Sequence, residues 1–272
     1  MIRSLLFALC LLHQSAFSAF ERMNHGSRAA AMGNSLVALS ANEWSALVNP
    51  AGLGTIHERT LSLFYVPQPF EIKELSHGAV SYIEPTSFGT FAVSGSRLGF
   101  ELYKETRIAL SYSDELASSV KAGATVNYYS VSIQNYGAAG TFGIDVGLLV
   151  DISDQLKWGF AAFNLNAPKI GAAKEKLPQV FATGITFSPV GEAVIAASVV
   201  KDVRFPVELH MGVEYSLLQM IALRAGTTSD PNTLNAGIGI RYSFAQFDYA
   251  FSSHGELGMT HQFSLSLKLG EL

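Results

Sequence analysis

Cysteine and charge are both scarce in this sequence. Only one cysteine, Cys10, occurs among the 272 residues, and charged residues make up 15% of the chain. A single cysteine excludes a disulfide framework, so an exported form of this chain would depend on a large core or a closed sheet for stability. The formal net charge is -4 and the sequence has no basic run, which argues against a nucleic-acid partner.

Long hydrophobic runs are also missing after the N-terminal segment. The chain is 49% hydrophobic with a mean hydropathy of +0.25, values that are common among membrane proteins. Yet the best internal run, residues 193–200, has less than half of the roughly 18 residues that a transmembrane helix needs. The hydrophobicity is therefore spread along the chain.

The first 18 residues have the pattern of a secretory signal peptide. Arg3 supplies a positive charge, residues 5–12 form an apolar run, and residues 16–18 provide a small-x-small cleavage site. We predict cleavage after Ser18. Cys10 lies inside the apolar run and follows Leu9, which does not fit a lipoprotein signal. The alternative, a short core or anchor helix, is disfavoured because the run is too short to span a membrane.

Residues 19–57 are irregular, rich in small side chains and compatible with short helices. Residues 29–32 are good helix formers, and Asn42 can begin a second helix that ends before Pro50, because the residue before a proline avoids the helical region. We predict that this segment is a plug, or hatch, for a barrel formed by residues 58–272. The candidate ligand or gating residues of the plug are Met32, Trp44, Asn49, Pro50, Ala51 and Gly52.

Beyond residue 58 apolar side chains recur at every second position. Residues 142–152 and 209–217 each place apolar side chains on one face and Gly, Ser or charged side chains on the other. This alternation indicates either a soluble antiparallel sheet or an outer-membrane barrel with a polar lumen. Several runs reach ten residues, which favours membrane-crossing strands. The expected polar lining of the lumen includes Arg107, Lys121, Asp145, His210, Glu214, Arg241 and Asp248.

The spacing of these runs predicts about fourteen strands. Long links are expected at residues 67–76, 133–140 and 166–177, and tight links at residues 114–116, 153–154 and 188–191. Closed bacterial barrels have an even number of strands, long outer loops and short periplasmic turns. We therefore predict an all-β membrane protein, a closed antiparallel barrel of about fourteen strands with a small helical N-terminal plug and both termini on the periplasmic side.

Both ends of the chain resemble a known family. The motifs are residues 26–33 (GSRAAAMG), 36–38 (LVA), 49–53 (NPAGL) and 257–265 (LGMTHQFSL). They are similar to PorV/PorQ-type outer-membrane proteins, relatives of the FadL long-chain fatty acid transporters. The resemblance implies a fourteen-stranded barrel closed by an N-terminal hatch. The roles that it implies range from uptake of hydrophobic molecules to service in type IX secretion.

Catalytic patterns are weak. Ser118 and Lys121 match the spacing S-x-x-K, but that chemistry needs both side chains on one helical face, and here they begin a strand. His210, Asp248 and a lumen serine could form a hydrolase site only if the fold brought them together. We predict no enzyme activity and no cofactor. We also predict no metal site, because the histidines lack zinc-ligand spacing: His25, His57, His77, His254 and His261.

A set of aromatic residues permits two interpretations. The set comprises Tyr112, Trp158, Tyr215, Tyr242 and Phe247. These rings could stack on a ligand, or they could form the aromatic girdle that barrels place at membrane interfaces. The girdle is the simpler interpretation.

The sequence favours a non-enzymatic barrel in the outer membrane of a Gram-negative-type bacterium. Its expected partners are outer-membrane lipid and a hydrophobic or amphipathic small molecule that crosses the barrel passively. Two alternatives are open. One is a structural or interaction component of an export pathway, with secretion-system proteins as partners, and the other is a soluble periplasmic β-protein.

Overall fold

Most of the chain forms one closed wall of antiparallel strands. The structure, a computed structural model, describes residues 19–21 and 25–270. The predicted signal peptide lies outside these residues. Fourteen strands hydrogen-bond to their neighbours in a continuous ring, and the first strand pairs with the last. The predicted closed barrel of fourteen strands is thus confirmed.

The barrel strands follow each other in chain order around the wall. They are β1 (Thr60–Val66), β2 (His77–Thr86), β3 (Gly89–Gly99), β4 (Tyr103–Ala117), β5 (Val120–Ile133), β6 (Gly137–Asp151), β7 (Leu156–Phe163), β10 (Val180–Val190), β11 (Ala193–Asp202), β12 (Val207–Leu217), β13 (Ile221–Ser229), β14 (Asn232–Tyr242), β15 (Ala245–His254) and β16 (Gly258–Lys268). Two further short strands, β8 (Lys169–Ile170) and β9 (Glu175–Lys176), pair with each other outside the wall.

The period-two pattern determines which face of each strand points outward. On β12 the side chains of Leu209, Met211 and Val213 are about half exposed, while His210 and Glu214 are buried inside the barrel. Successive side chains of a strand point to opposite faces, so apolar residues cover the outside and polar residues face the lumen.

The two ends of the barrel differ in the length of their links. We call the end that holds Thr60 and Lys268 the turn end, where residues 87–88, 118–119, 152–155, 191–192, 218–220 and 243–244 connect the strands. We call the opposite end the loop end, because it carries the long links 67–76 and 164–179. Because β1 starts and β16 finishes at the turn end, the barrel begins and closes there.

Several predicted links lie elsewhere. The long link expected at residues 133–140 was wrong, because β5 and β6 continue to a turn at residues 134–136. Asn135 and Gly137 both adopt positive φ, which lets the chain reverse in so few residues. The tight links expected at residues 114–116 and 188–191 were also misplaced, since β4 runs to Ala117 and β10 to Val190.

The link at residues 164–179 has structure of its own. Strands β8 and β9 form a small hairpin there, and Asn164 fixes its base by donating a backbone hydrogen bond to Asp145 Oδ1 (2.8 Å). The Asn164 side chain also donates to the carbonyl of Pro178 (2.7 Å). The alternation pattern gave no sign of this hairpin, because each strand has only two residues.

Residues 25–57, which we call the inner segment, run inside the barrel and contain two short α-helices. These are α1 (Ser27–Ala31) and α2 (Ser45–Val48), and a 3₁₀ helix over Pro50–Thr55 follows. The second helix begins after Trp44 and not at Asn42, whose side chain instead accepts a hydrogen bond from the Trp44 backbone (3.3 Å). None of the helices among the described residues is long and apolar enough to cross a membrane.

The core of the molecule lies between the inner segment and the wall. Trp44, Met32 and Leu36 are each at most 1% exposed, and they pack against apolar residues that point inward from the strands. Apolar burial therefore holds the inner segment in place, in addition to the polar contacts described below.

Candidate functional site

The inner segment touches the wall through a ring of glycines. We call Gly123, Gly147, Gly159, Gly212, Gly226 and Gly237 the glycine socket; each faces inward from a different strand. A Cβ atom built on any of them would lie within 3.0 Å of an atom of the inner segment. Real Cβ atoms essentially never come this close, so the missing side chains let the inner segment lie directly on the wall.

Asn49 ties the inner segment to β6. Its Nδ2 donates to the carbonyl oxygens of Val37 (2.6 Å) and Leu148 (3.1 Å), and its Oδ1 accepts from the Ala51 backbone N–H (3.1 Å). Asn49 is only 3% exposed and has extended backbone, and Pro50 starts the 3₁₀ helix behind it. The Asn-Pro pair thus closes the 3₁₀ turn and connects it to the wall.

A buried network of charges joins α1 to three strands. Arg28 contacts Glu214 through two hydrogen bonds (2.6 and 2.8 Å), and Arg224 bridges Glu214 (2.5 Å) and Asp248 (2.7 Å). The Arg224 and Asp248 side chains are fully buried. Burial alone would lower the pKa of the Arg28 guanidinium, but the Glu214 carboxylate outweighs burial and the net pKa is raised. The two guanidinium groups and the two carboxylates balance each other in charge.

Glu43 is a third acidic group near this network. The residue is 8% exposed, and its Oε1 atom has no hydrogen-bond partner among the described residues. Burial raises the pKa of Glu43, the charge of Asp248 raises it further, and Arg28 opposes both. The carboxyl group therefore favours its protonated form more than an exposed glutamate does.

Aromatic side chains join the inner segment to β1 and β2. The Trp44 ring packs on Phe64 with centroids 5.9 Å apart, and Phe64 packs on His77 at 5.5 Å. The His25 ring in turn lies 5.1 Å from His77. This aromatic cluster reaches the base of the cavities described next.

Two adjacent cavities, which share five lining residues, lie between the inner segment and the loop end. The larger, at the loop end, has a volume of about 810 Å³, and the smaller, against the inner segment, has about 70 Å³. Residues that line both are Glu21, His77, Leu98, Glu105 and Val180. Apolar side chains from the wall and the loops contribute much of the lining, including Val66, Phe70, Val200, Phe205, Tyr129 and Phe163.

Charged groups are clustered on one side of the larger cavity. Asp202 and Arg204 form an ion pair (2.8 Å) in the link after β11, and Glu21 lies near them. Burial raises the pKa of Glu21, although Arg204 opposes the shift. The cavity thus combines apolar patches with many polar and charged groups, among them Glu208, His210 and Asp230.

The structure places all of the predicted lumen residues at inward-facing positions, where they contact different residues. Arg107 contacts Asp145 (2.9 Å) beside the smaller cavity, whereas Lys121 contacts Asp151 (3.2 Å) near the turn end. Arg241 donates to the Gln246 side chain (3.0 Å). The sequence did not predict the charge network around Arg28, because its partner Glu214 lies 186 positions away in the chain.

The hydrolase arrangement considered above is not assembled. His210 contacts Glu208 (3.0 Å) near the loop end, whereas Asp248 is held by Arg224 and by the Gln246 side chain (2.7 Å). Lys121 begins β5 and does not share a helix with Ser118. Within residues 19–21 and 25–270, no group of three or more His, Cys, Asp or Glu side chains is placed to hold a metal ion.

The predicted aromatic set lies on the outer surface. All five residues are at outward positions in the half of the barrel nearer the turn end: Tyr112, Trp158, Tyr215, Tyr242 and Phe247. Trp158 donates through Nε1 to Thr183 Oγ1 (3.0 Å), and Tyr112 donates to the carbonyl of Phe88 (2.7 Å). This position agrees with a girdle and excludes ligand stacking inside the lumen.

Comparison with known proteins identifies the type of barrel. No protein-family profile and no curated protein matches the sequence. Among solved structures, the chain is similar to the P. putida toluene transporter TodX, with a TM-score of 0.72 and 12% identity over 92% of this chain and 99% of that one. It is also similar to the CymD monoaromatic hydrocarbon channel (TM-score 0.65, 12% identity, 90% and 98% covered). A Pseudomonas aeruginosa FadL homologue matches at a TM-score of 0.64, with 12% identity over 90% of this chain and 98% of that one. The chain therefore shares its fold with these solved barrels.

Proposed function

We propose that this protein is an outer-membrane channel for passive transport of hydrophobic or amphipathic small molecules. The observation that carries the proposal is the cavity of about 810 Å³ at the loop end, which shares lining residues with a smaller cavity against the inner segment. Similarity of fold to TodX, CymD and the FadL homologue supports the same function. In this proposal the inner segment is the predicted plug, and residues 58–272 are the transport barrel.

The outer surface supports a membrane location. Large apolar side chains point outward around the ring, for example Leu63 (47% exposed), Leu110 (58%) and Met211 (55%). Soluble monomers rarely expose so much contiguous apolar surface, whereas lipid requires it. Outer-membrane barrels carry their longer loops outside the cell, so the loop end would face the exterior. Residues 1–18 would then be the cleaved signal for export.

The lining of the cavities suggests the class of solute. Leu98, Val180 and Phe163 offer apolar contact, and Glu105 and Arg107 beside them are charged. An amphipathic ligand fits this lining, because its apolar part can contact these patches while its polar end bonds to the polar groups beside them. A small aromatic or short aliphatic compound with a polar end is the proposed solute.

Filling the cavity tests the proposal. Leu98→Trp places an indole where both cavities meet, and we expect uptake of a radiolabelled monoaromatic compound into proteoliposomes to fall about tenfold or more. The matched control is Val93→Trp on the same strand, whose side chain points outward and is 53% exposed. Equal uptake by Leu98→Trp and the unsubstituted protein would refute transport through this cavity.

The path past the inner segment is a further part of the proposal. Asn49 and Pro50, with Met32, Trp44, Ala51 and Gly52, would form the gate, because all six are buried between the cavities and the turn end. Asn49→Ala removes three hydrogen bonds that hold this gate. We expect faster flux from Asn49→Ala than from Asn232→Ala, an exposed control in β14. Identical flux in the two variants would exclude gating at Asn49.

The described residues offer no observation that favours the alternative export-pathway role or the PorV/PorQ-type assignment. Native purification separates the two functions, since a transporter is expected to elute alone and a secretion component with protein partners. Stoichiometric co-purification of other exported proteins, combined with no solute uptake, would replace the transport proposal with the interaction role.

A further inference from the structure

Charged side chains on the outward face of the wall are arranged differently at its two ends. Near the turn end Glu84 on β2 pairs with Arg59, which precedes β1, and Asp114 lies on β4. Near the loop end the outward charged side chains of the strands are basic: Arg97 on β3, Lys104 on β4 and Lys201 on β11. Charges on the outward face are strongly unfavourable at the centre of a bilayer but tolerated near its surface. The basic residues near the loop end are therefore placed to meet groups at the bilayer surface.

Arg97 and Lys104 lie close together. Arg97 pairs with Thr106 and Lys104 pairs with Gly99 in the ladder between β3 and β4, so the two basic residues are diagonal neighbours. Diagonal neighbours on one face are about 7 to 8 Å apart. Two cations at this distance repel each other unless an anion lies between them.

Hydroxyl groups surround this pair. Thr106 is opposite Ser130, and Lys104 is opposite Ser132, in the ladder between β4 and β5. We call Arg97, Lys104, Thr106, Ser130 and Ser132 the basic patch. All five point outward, and none is buried. Together they present two cationic groups and three hydroxyl donors to the exterior.

The basic patch lacks an internal counter-charge. Across the described ranges, neither Arg97 nor Lys104 takes part in an ion pair, and neither donates a side-chain hydrogen bond to another residue. In contrast, Lys201 donates to the carbonyl of Phe205. Glu101, in the turn between β3 and β4, is exposed and forms no ion pair with either residue. The donors of the patch are thus available to an external acceptor.

The position of the patch favours a lipid as its occupant. On β4 the outward side chains run from Tyr112 through Leu110 and Ile108 to Thr106 and Lys104. This order leads from the apolar belt into the polar interface, where headgroups replace acyl chains. A soluble anion would have no reason to bind beside an apolar belt, whereas a lipid can use both surfaces.

We propose that the basic patch binds the phosphate-bearing headgroup of an outer-leaflet glycolipid. The guanidinium of Arg97 can bind phosphate through two hydrogen bonds, and Lys104 adds a point charge. The hydroxyls of Thr106, Ser130 and Ser132 supply further donors to phosphate or sugar oxygens. The inference rests on the proposed outer-membrane location but not on solute uptake.

Lipid binding by the full-length mature chain in non-ionic detergent tests this site. The probes are diphosphoryl and monophosphoryl lipid A, compared by native mass spectrometry at equal concentrations. We expect the diphosphoryl form to bind about tenfold more tightly or better, because each charge-assisted hydrogen bond to phosphate contributes strongly. The double substitution Arg97→Gln/Lys104→Gln should abolish this preference.

The matched control removes the same charge elsewhere. Lys169→Gln/Lys174→Gln changes two exposed lysines in the link between β7 and β10 and should retain the preference. The same preference in the Arg97→Gln/Lys104→Gln variant, or no preference in the unsubstituted protein, would overturn the proposal. Competition by millimolar inorganic phosphate as effective as that by the lipid would show a free-phosphate site and overturn the lipid assignment. The uptake assay with Leu98→Trp reads a different surface, so failure of one proposal is distinguishable from failure of the other.

Discussion

At the scale of single residues, the buried charges around α1 are balanced, and Glu43 lies beside them as a further acidic group. Arg28 and Arg224 neutralise Glu214 and Asp248, whereas Glu43 Oε1 has no partner in the described part of the chain. An unpaired buried charge is more unfavourable than a neutral carboxyl group, so the folded protein retains the Glu43 proton to a higher pH than the unfolded chain does. Glu43 therefore makes the stability of the inner segment depend on pH.

Glu43→Gln should remove this pH dependence. Because the folded-state pKa of Glu43 is raised above its ordinary value of 4.5, its contribution to stability is fully present below that pH and is lost as pH rises through the folded-state pKa. Hydrogen exchange of the Leu47 and Asn49 amides, corrected for intrinsic rates, should show less protection at pH 8 than at pH 5 in the unsubstituted protein. In Glu43→Gln this loss of protection between pH 5 and pH 8 should disappear.

Glu43→Gln should also stabilise the inner segment at high pH, and an exposed glutamate provides the control. At pH 8 the variant should gain about 1 to 3 kcal/mol in local stability, the range for relieving an unsatisfied buried polar group. Glu101→Gln, at an exposed position in the turn after β3, should leave the pH dependence unchanged. If protection still falls between pH 5 and pH 8 in Glu43→Gln, Glu43 is not the cause of the pH dependence.

Glu214→Gln should be far more damaging. The substitution leaves Arg28 and Arg224 buried with a single carboxylate, Asp248, between them. Breaking one partner of a buried ion pair is destabilising by about 3 to 5 kcal/mol. The free energy of unfolding from urea titrations in detergent should fall by this amount.

A surface ion pair provides the comparison for Glu214. Glu84 contacts Arg59 (2.7 Å) on the outward face, but its side chain is 31% exposed against 3% for Glu214. Exposed pairs contribute about 0 to 1 kcal/mol, so Glu84→Gln should have little effect. Equal losses from the two substitutions would mean that burial does not control the strength of these pairs.

At the scale of elements, the glycine socket explains how the helical inner segment packs against the strands of the wall. The 3₁₀ helix over Pro50–Thr55 lies against β4, β5 and β6, and Gly123 and Gly147 allow its backbone to approach the wall. A strand normally weakens at an interior glycine, but here the missing side chain leaves room for the inner segment. The wall and the inner segment are therefore both rich in small residues for the same reason, which is their close packing against each other.

Gly147→Ala should displace the inner segment without opening the ring of strands. The new methyl group would overlap the Asn49 side chain, and the two cannot both keep their positions. Overpacking of this kind is destabilising by about 1 to 3 kcal/mol. We expect channel openings in planar bilayers that the unsubstituted protein lacks.

Gly191→Ala is the control for the socket. Gly191 lies in a turn, and a Cβ atom there would meet no atom within 4 Å. This variant should remain closed in the same bilayer recordings. If Gly147→Ala also remains closed and equally stable, the socket is looser than the structure indicates.

At the scale of the whole molecule, the fold of the inner segment depends on the wall more than the fold of the wall depends on the inner segment. All fourteen strands are hydrogen-bonded to strands on both sides, and none of these ladders passes through the inner segment. The wall charges Arg224, Glu214 and Asp248 also pair among themselves. The barrel should therefore persist without the segment, whereas the segment has little core of its own.

Deleting residues 25–57 should leave a folded, conducting barrel. Fourteen strands enclose a lumen wide enough to need filling, so its removal opens an aqueous path. Planar bilayer recordings should show stepwise conductance, and circular dichroism should retain the sheet signal. A deletion protein that aggregates without sheet structure would show instead that the inner segment is needed to build the wall.

The sequence determined which side chains of each strand face outward. The tertiary structure determined which residues contact each other. Alternation every second residue is a local property, so the outward and inward faces of β12 and the number of barrel strands were predictable. The hairpin β8–β9 and the tight turn at residues 134–136 were not predicted, because two-residue strands and positive-φ turns leave almost no periodic signal. The partners of Arg28 and the separation of His210 from Asp248 depend on the register around a closed ring. Register is a cumulative property of fourteen ladders and cannot be read from any single segment, so only the fold could show that Arg28 meets Glu214.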